Sequence, residues 1–342
     1  MNKDKNLLIV IPSLNIGGTE TQVTLLVKEL ITLKYNVKVL VRKGLYNSEI
    51  PDFLLKRIIE IPNLPGFHPL LLISLFKIIK SEKKIVIFSY LDQMNIAVGL
   101  LSFFLNFKWY SSERSNPHFH NSLYQKFSRF LMRNSEVLVN NKLAFDYYFK
   151  NKYKVTIINN FLKYFNFSTE KISLKKNYYI FSRFSASKNI DFVLMAWEQA
   201  KIDANLYLIG HGPLTNYLKE YINSKELKNV FIKNDVTQET ILNEYNFFIS
   251  ASLYEGVSNS ALEALCLNNL LILSKIPGHI ELVNDLNICL FNLDDIKDLV
   301  SKLISINKLN INQYLNLLNQ QKEILKNFDN ENLLKKYLKL LN

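Results

Sequence analysis

Short continuous apolar runs alternate along this chain with stretches whose apolar positions recur at helical spacing. Residues 6–11 form one such run, stopped by Pro12, as a parallel strand covered on both faces requires. Val23, Leu26, Val27 and Leu30 then predict a helix over 19–33, and 37–41 a second strand. The alternation continues with helices expected over 70–80, 95–104 and 123–133 and strands over 85–88, 109–111 and 137–139. The polar, lysine-bearing stretch 163–177 interrupts it and reads as a linker. Beyond it the pattern predicts strands over 178–181, 205–209, 230–232, 247–250 and 271–273, with helices over 190–199, 214–223, 239–245 and 260–267. Leucines at helical spacing among lysines over 312–341 suggest a docking helix. Repeated strand–helix alternation of this kind predicts an α/β protein with two doubly wound parallel sheets. The expected domains are 1–165 and 166–311, with a helical tail over 312–342. Ligands of open parallel sheets bind beyond the carboxyl ends of the strands, so the loops after strands, facing a cleft between the halves, should carry the chemistry.

Composition narrows the classes. A length of 342 residues suits two domains, and 48% hydrophobic against 21% charged residues excludes a disordered or fibrous chain. Two cysteines and five histidines exclude a disulfide framework or a Cys/His zinc module; Cys266 and Cys289, both in apolar runs, are expected to be buried free thiols. Nothing at the start resembles a signal peptide, and the apolar stretch 96–105 is about half a membrane span, so a cytoplasmic protein is expected. The net charge of +12 belongs entirely to the first half: residues 1–165 hold 23 Lys/Arg against 11 Asp/Glu, and residues 166–342 hold 19 against 19. One-sided charge predicts an anionic partner, a membrane surface or a nucleic acid, unless the lysines serve only solubility.

Glycine is scarce, 9 residues where average usage would give roughly 24. Six of them, Gly17, Gly18, Gly210, Gly212, Gly256 and Gly278, follow predicted strands and are expected where backbone approaches a ligand. Gly44 and Gly66 read as ordinary turns, and Gly99 as a packing glycine within a helix.

Four stretches carry candidate chemistry. Gly17-Gly18-Thr19-Glu20 enters a helix, where free amides and the helix dipole favour an anion. It matches neither the dinucleotide fingerprint nor the P-loop. Arg183 and Lys188 lie between a strand and a helix, two cations suited to a diphosphate. Gly210-His211-Gly212-Pro213 ends another strand, and His211 there reads as exposed and bland. The fullest signal is Glu255-Gly256-Val257-Ser258-Asn259-Ser260-Ala261-Leu262-Glu263, two carboxylates flanking a capped helix start. Carboxylates accept paired hydrogen bonds from vicinal hydroxyls, so this segment reads as a recogniser of sugar and ribose hydroxyls beside a phosphate site.

With those stretches in this order, the chain resembles the family 4 glycosyltransferases of the GT-B fold, of the bacterial surface-polysaccharide type. The resemblance implies two Rossmann-like domains, no catalytic metal and no cofactor. It implies retaining transfer of a sugar from a nucleotide diphosphate donor to a glycan acceptor that can be linked to polyprenyl diphosphate; by frequency alone a UDP-linked hexose or N-acetylhexosamine is expected. It places Glu255, Arg183 and Lys188 in catalysis and Gly17, Gly18, Gly256, Val257, Ser258, Glu263 and Gly212 on the donor. In the segment Ser111 to His120, it makes Glu113, Arg114 and His118 acceptor-side candidates. The basic half would then face an acceptor at the inner surface of the cell membrane, through segments 70–80 and 124–133, with no nucleic acid expected. Two departures stand out: Phe161 replaces a usual glycine after Asn160, and Asn268-Asn269-Leu270 replaces Gly-x-Pro. A nucleotide-sugar epimerase of the same architecture and a non-catalytic basic nucleic-acid-binding protein are the alternatives.

Overall fold

The computed structural model describes residues 6–15, 17–46, 50–114, 117, 122–163, 172–234, 236, 240–241, 244–283 and 287–341. The chain divides into two compact units, Met1–Lys163 with Phe328–Asn342, and Tyr164–Asn327.

The first unit is built on seven parallel strands: β1 (Asn6–Val10), β2 (Asn36–Arg42), β3 (Ile58–Ile61), β4 (Ile85–Tyr90), β5 (Lys108–Glu113), β6 (Glu136–Val139) and β7 (Lys154–Ile157), in the order β3-β2-β1-β4-β5-β6-β7. Its crossovers are α1 (Gly18–Thr32), the short α2 (Asp52–Leu55), α3 (Pro69–Ser81), α4 (Leu91–Leu101), α5 (Leu123–Met132) and α6 (Lys142–Lys150). Side chains alternate across a strand, so β1 sends Leu7 and Ile9 to one face of the sheet and Leu8 and Val10 to the other, into separate cores. Leu71 and Leu75 of α3, Met94 and Ala97 of α4 and Met132 of α5 share the second of these cores, so the three helices form one layer.

The second unit has β8 (Asn177–Phe181), β9 (Asn205–Ile209), β10 (Val230–Lys233), β11 (Phe247–Ser250), β12 (Leu270–Ser274) and β13 (Leu290–Phe291), all parallel and ordered β10-β9-β8-β11-β12-β13. Helices α7 (Ile190–Ala200), α8 (Thr215–Ser224), α9 (Asn259–Cys266), α10 (Pro277–Val283), α11 (Ile296–Asn307) and α12 (Ile311–Lys322) complete it. Every residue of β11 and β12 is buried, which explains their unbroken apolar runs. The strand order reverses between β8 and β11, whose pairing stops after Tyr178–Phe247 and Tyr179–Phe248. Such a reversal opens a crevice at the carboxyl ends.

The last helix, α13 (Asn330–Leu341), buries Leu333, Tyr337 and Leu341 in the first unit. Phe161, the departure from glycine, stacks on Tyr337 with ring centroids 5.8 Å apart, while Gln22 clasps its backbone N–H and C=O at 2.6 and 3.0 Å. An aromatic side chain here is a core contact. The second departure keeps its backbone role: Asn268 closes α9 in the left-handed region, φ +63°, which asparagine tolerates.

Several elements escape the hydrophobic pattern. β3 and β7 are four-residue strands near the rim, and α6, Lys-Leu-Ala-Phe-Asp-Tyr-Tyr-Phe-Lys, offers aromatics in place of an aliphatic period. α11 carries Ile296, Leu299 and Leu303 at helical spacing within a stretch left unassigned above. α4 begins at Leu91, four residues before the expected start. Of the helix expected over 239–245, residues 240, 241 and 244 are helical, while 239, 242 and 243 lie outside the described residues. Gly66 is not an ordinary turn: a Cβ there would lie 2.0 Å from the Gln93 carbonyl oxygen, so side-chain-free backbone is required. Gly99 does permit close packing, since its Cβ would sit 2.7 Å from that of Leu131 on α5. Both cysteines are buried free thiols, their pKa values pushed up to about 12 by burial.

Candidate functional site

The carboxyl edge of the second sheet gathers most of the candidate residues. Arg183 and Lys188 stand in the loop from β8 to α7, Gly210 to Gly212 follow β9, and Glu255 to Ser258 lie between β11 and α9. Backbone hydrogen bonds tie these loops together. Phe184 N donates to His211 O at 3.0 Å, Leu214 N to Phe184 O at 3.1 Å, and Leu253 N to Ser187 O at 2.9 Å. The loop bearing both cations is thus fastened on one side to the β9 loop and on the other to the β11 loop.

Lys188 forms an ion pair with Glu255, so a cation from the β8 side and a carboxylate from the β11 side meet across the point where strand order reverses. Their side chains keep 26% and 16% of their exposure, so the pair is screened less than a surface bridge yet remains reachable. Ser252 Oγ also donates to Glu255 Oε1, at 2.8 Å. Ser252 is fully buried, and its carbonyl accepts from Ser274 Oγ at 2.7 Å. Behind Ser274 stands His279, whose Nδ1 lies 3.0 Å from Ser274 O and 3.1 Å from its Oγ. A carbonyl can only accept, so Nδ1 carries the proton and Nε2, buried and without a hydrogen-bond partner among the described residues, is the bare nitrogen. The resulting chain, His279 to Ser274 to Ser252 to Glu255, anchors the carboxylate to the ends of two central strands.

Three of the scarce glycines serve this scaffold. A Cβ on Gly210, whose φ is +132°, would lie 2.1 Å from Ser182 O, and one on Gly212 would lie 2.4 Å from Phe184 O. Gly278 would place a Cβ 2.2 Å from Gly256 O and 2.7 Å from Glu255 O. They are glycine because neighbouring loop backbones, the ones carrying Arg183 and Glu255, pass too close for a side chain.

Ser258 caps α9 by accepting from Ala261 N at 3.3 Å, which fixes Gly256, Val257 and Ser258 ahead of the helix, where the dipole favours an anion. Glu263, half-buried on α9, Arg183, exposed, and His211, exposed, complete this edge. Among the described residues no three His, Cys, Asp or Glu side chains gather into a metal-binding group.

The remaining candidates belong to the first unit. Gly17 caps α1 in extended conformation, and Gly18 opens the helix. The carboxylate of Glu20 turns back onto this entry: it accepts from Ser13 Oγ at 3.2 Å, and burial raises its pKa. Glu113 accepts from Tyr148 OH at 3.1 Å. Arg114 donates to Ser112 Oγ at 3.1 Å, Asn160 Oδ1 at 2.6 Å and Tyr337 OH at 3.1 Å, and lies over the Tyr90 ring. That guanidinium fastens α13 to the first sheet. His118 lies outside the described residues.

Ser252, Ser274 and His279 are the members of the site that sequence reasoning did not single out. Ser252 stands three residues before Glu255, and His279 follows Gly278 in the first turn of α10; those positions were the available signal. Burial holds the His279 pKa at about 4, below its ordinary 6.5, against the opposing pull of the Glu255 charge. The unfolded chain therefore takes up this proton between about pH 6.5 and 4 while the folded chain does not. The stability that the neutral ring contributes is complete above pH 6.5 and lost as pH falls toward 4, about 3 kcal/mol in all. Urea denaturation across that window should show this slope in the wild type and not in His279→Asn; parallel slopes would contradict the assignment.

Residues 175–308 match the family model described as glycosyl transferases group 1. No curated protein matches the chain significantly. Among solved structures, HepE of Anabaena in complex with UDP and glucose is similar over 98% of this chain and 99% of its own, with TM-score 0.83 and 16% identity. The pneumococcal O-GlcNAc transferase GtfA, in complex with UDP and GlcNAc, is similar over 98% of both chains, with TM-score 0.79 and 11% identity. S. aureus TarM, in a complex containing UDP, is 20% identical with TM-score 0.66; the match covers 80% of this chain, which spans 58% of TarM. The fold is GT-B, and residues 175–308 carry the glycosyl transferases group 1 domain.

Proposed function

We propose that this glycosyltransferase moves a hexose or N-acetylhexosamine from a nucleotide diphosphate, UDP by the example of HepE and GtfA, to a glycan acceptor with retention at the anomeric carbon and without a metal. The observation that carries the reading is the Lys188–Glu255 pair beside the capped start of α9. In it a diphosphate finds a cation and helix-start amides, and a sugar hydroxyl finds a carboxylate already fixed by Ser252. As the anomeric C–O bond breaks, negative charge grows on the departing diphosphate. Lys188 and Arg183 stabilise that charge in a site organised before the reaction begins. Glu255 holds hydroxyls of the donor sugar, Glu263 the ribose, and the amides of Gly256, Val257 and Ser258 the phosphates. Gly212, whose loop is fastened to that of Arg183, also belongs to the donor site, and Gly17 and Gly18 belong to the donor side of the first unit. Glu113, Arg114 and His118 belong to the acceptor side, where Arg114 acts by holding the local structure. A lipid-linked glycan of the bacterial surface-polysaccharide type, carried on polyprenyl diphosphate, is the acceptor class proposed, with synthesis on the cytoplasmic face of the membrane.

The test is product analysis by nuclear magnetic resonance after incubation with UDP-sugars and oligosaccharide acceptors, with and without EDTA. The expected product keeps the donor's anomeric configuration and forms equally with the chelator. An inverted product, or activity abolished by EDTA and restored by a divalent cation, would contradict the reading.

A further inference from the structure

On the amino edge of the first sheet, opposite the strand ends that carry the candidate chemistry, a cavity of about 560 Å³ opens between the end of α3, the start of β4 and the loop from α4 to β5. Its volume lies within the range of small-molecule sites, roughly 300 to 1,000 Å³. The floor is apolar: Ile79 and Ile85 are buried in the core shared by α3, α4 and α5, and Leu105 and Phe107 pack half-buried against that core. The rim is basic, with Lys80, Lys84 and Lys108 all exposed.

The one carboxylate that lines the cavity does not balance these cations. Glu82 turns to the neighbouring strands, where it forms an ion pair with Lys38 of β2 and accepts from Asn6 Nδ2 of β1 at 2.7 Å. Neither Lys80 nor Lys84 enters an ion pair among the described residues. Lys80 has a structural use, since it lies in the last turn of α3, where a cation complements the helix dipole, and stands over the Phe76 ring at 5.6 Å. Lys84 has neither. Lys108 is held at the rim by donating to Leu340 O at 2.6 Å, and Tyr110 OH donates to the same oxygen at 2.5 Å. Helix α13 therefore keeps a second anchor if the ammonium turns toward a ligand. Like charges around one depression repel each other, and apolar side chains at its floor are costly to leave in water. An anion with an apolar body relieves both.

We propose that this cavity is a binding site for a soluble phosphate monoester with a flat apolar body, of the size of a nucleoside monophosphate. The phosphate dianion meets the ammonium groups of Lys80, Lys84 and Lys108, which act as compact point charges and impose no fork geometry on it. The apolar body covers Leu105 and Phe107 and takes their exposed parts out of water. Concavity selects a small molecule over a broad anionic surface, which would touch the lysines of the rim and leave the floor bare. The site stands independently of the transferase reading, because it uses none of the residues assigned to donor or acceptor and lies at the other edge of the sheet from Glu113 and Arg114.

The test is isothermal titration of the full chain with 4-nitrophenyl phosphate, glycerol 3-phosphate and inorganic phosphate, at about pH 8, where phosphate monoesters are dianions. The nitrophenyl ester is expected to bind at least about ten-fold more tightly than the other two probes, since it alone covers the floor. Lys80→Gln/Lys84→Gln should weaken that binding by about ten-fold or more, while Arg183→Ala leaves it unchanged, which separates this cavity from the donor site. Both glutamines replace exposed side chains, so the urea midpoint should match the wild type and certify folded protein. Lysine acetylation read by mass spectrometry locates the probe: Lys80 and Lys84 should be protected by it, and the exposed Lys219 of the second unit should not. No heat with the nitrophenyl ester, equal affinity for the three probes, or binding untouched by the glutamine pair would overturn the inference. So would binding that Arg183→Ala removes.

Discussion

Lys188→Ala should lower kcat about a hundred- to a thousand-fold, the effect of removing one preorganised charge from a developing anion. Two losses combine in that variant. The leaving diphosphate loses a cation, and Glu255, at 16% side-chain exposure, loses its ionic partner and keeps only Ser252. Glu255→Gln should be comparably impaired for a different reason. The amide can still accept from Ser252, but it loses the charge-assisted hydrogen bonds to sugar hydroxyls and leaves Lys188 unpaired. The double variant separates the roles. If the residues act as one unit, its loss will be close to that of either single change rather than their product. Steady-state turnover of the three variants with a saturating donor makes the comparison. Single variants within a few-fold of wild type would remove both residues from the chemistry.

The second large effect is structural. Gly278→Val should destabilise the chain by about 3 kcal/mol or more, because the new Cβ would meet two backbone oxygens, at 2.2 and 2.7 Å, and backbone cannot rotate aside as a side chain can. The displaced oxygens belong to Gly256 and Glu255, so donor binding should fail together with stability. Gly44→Ala provides the contrast. Its φ is +72°, but nothing lies within 4 Å of the new Cβ, so only the left-handed backbone is penalised, by about 1 kcal/mol. Urea denaturation of both variants measures the difference. Equal losses would mean that close approach of the loops is not what glycine serves at position 278.

The doubly wound plan was legible in the chain because buried parallel strands are written as apolar runs and their crossovers as helical stripes. Glu255, Lys188 and Arg183 were legible as residue types in loops after strands. What remained hidden depends on groups far apart in sequence. Arg114 looks like any loop cation until Asn160 and Tyr337, 46 and 223 positions away, are seen to hold it. His279 joins the site only through Ser274 and Ser252, and a buried ring with one satisfied nitrogen leaves no mark on local periodicity. Gly210, Gly212 and Gly278 were expected to matter and Gly66 to be an ordinary turn, but at all four a neighbouring backbone excludes a side chain, which no local pattern records. Helix α5 shows the opposite case. Its mixture of aromatics and cations was visible, and burial then sorted Arg129 inward and Phe127 and Phe130 outward.

The central claim is that the carboxyl edge of the second sheet holds a nucleotide sugar between Lys188, Arg183, Glu255 and the start of α9. Isothermal titration of the wild type with UDP-, GDP-, ADP- and TDP-sugars, repeated on Arg183→Ala and Glu255→Ala, tests it most directly. One donor class should bind the wild type with measurable heat and bind each variant at least about ten-fold more weakly. No heat with any donor, or binding unchanged by both substitutions, would contradict it.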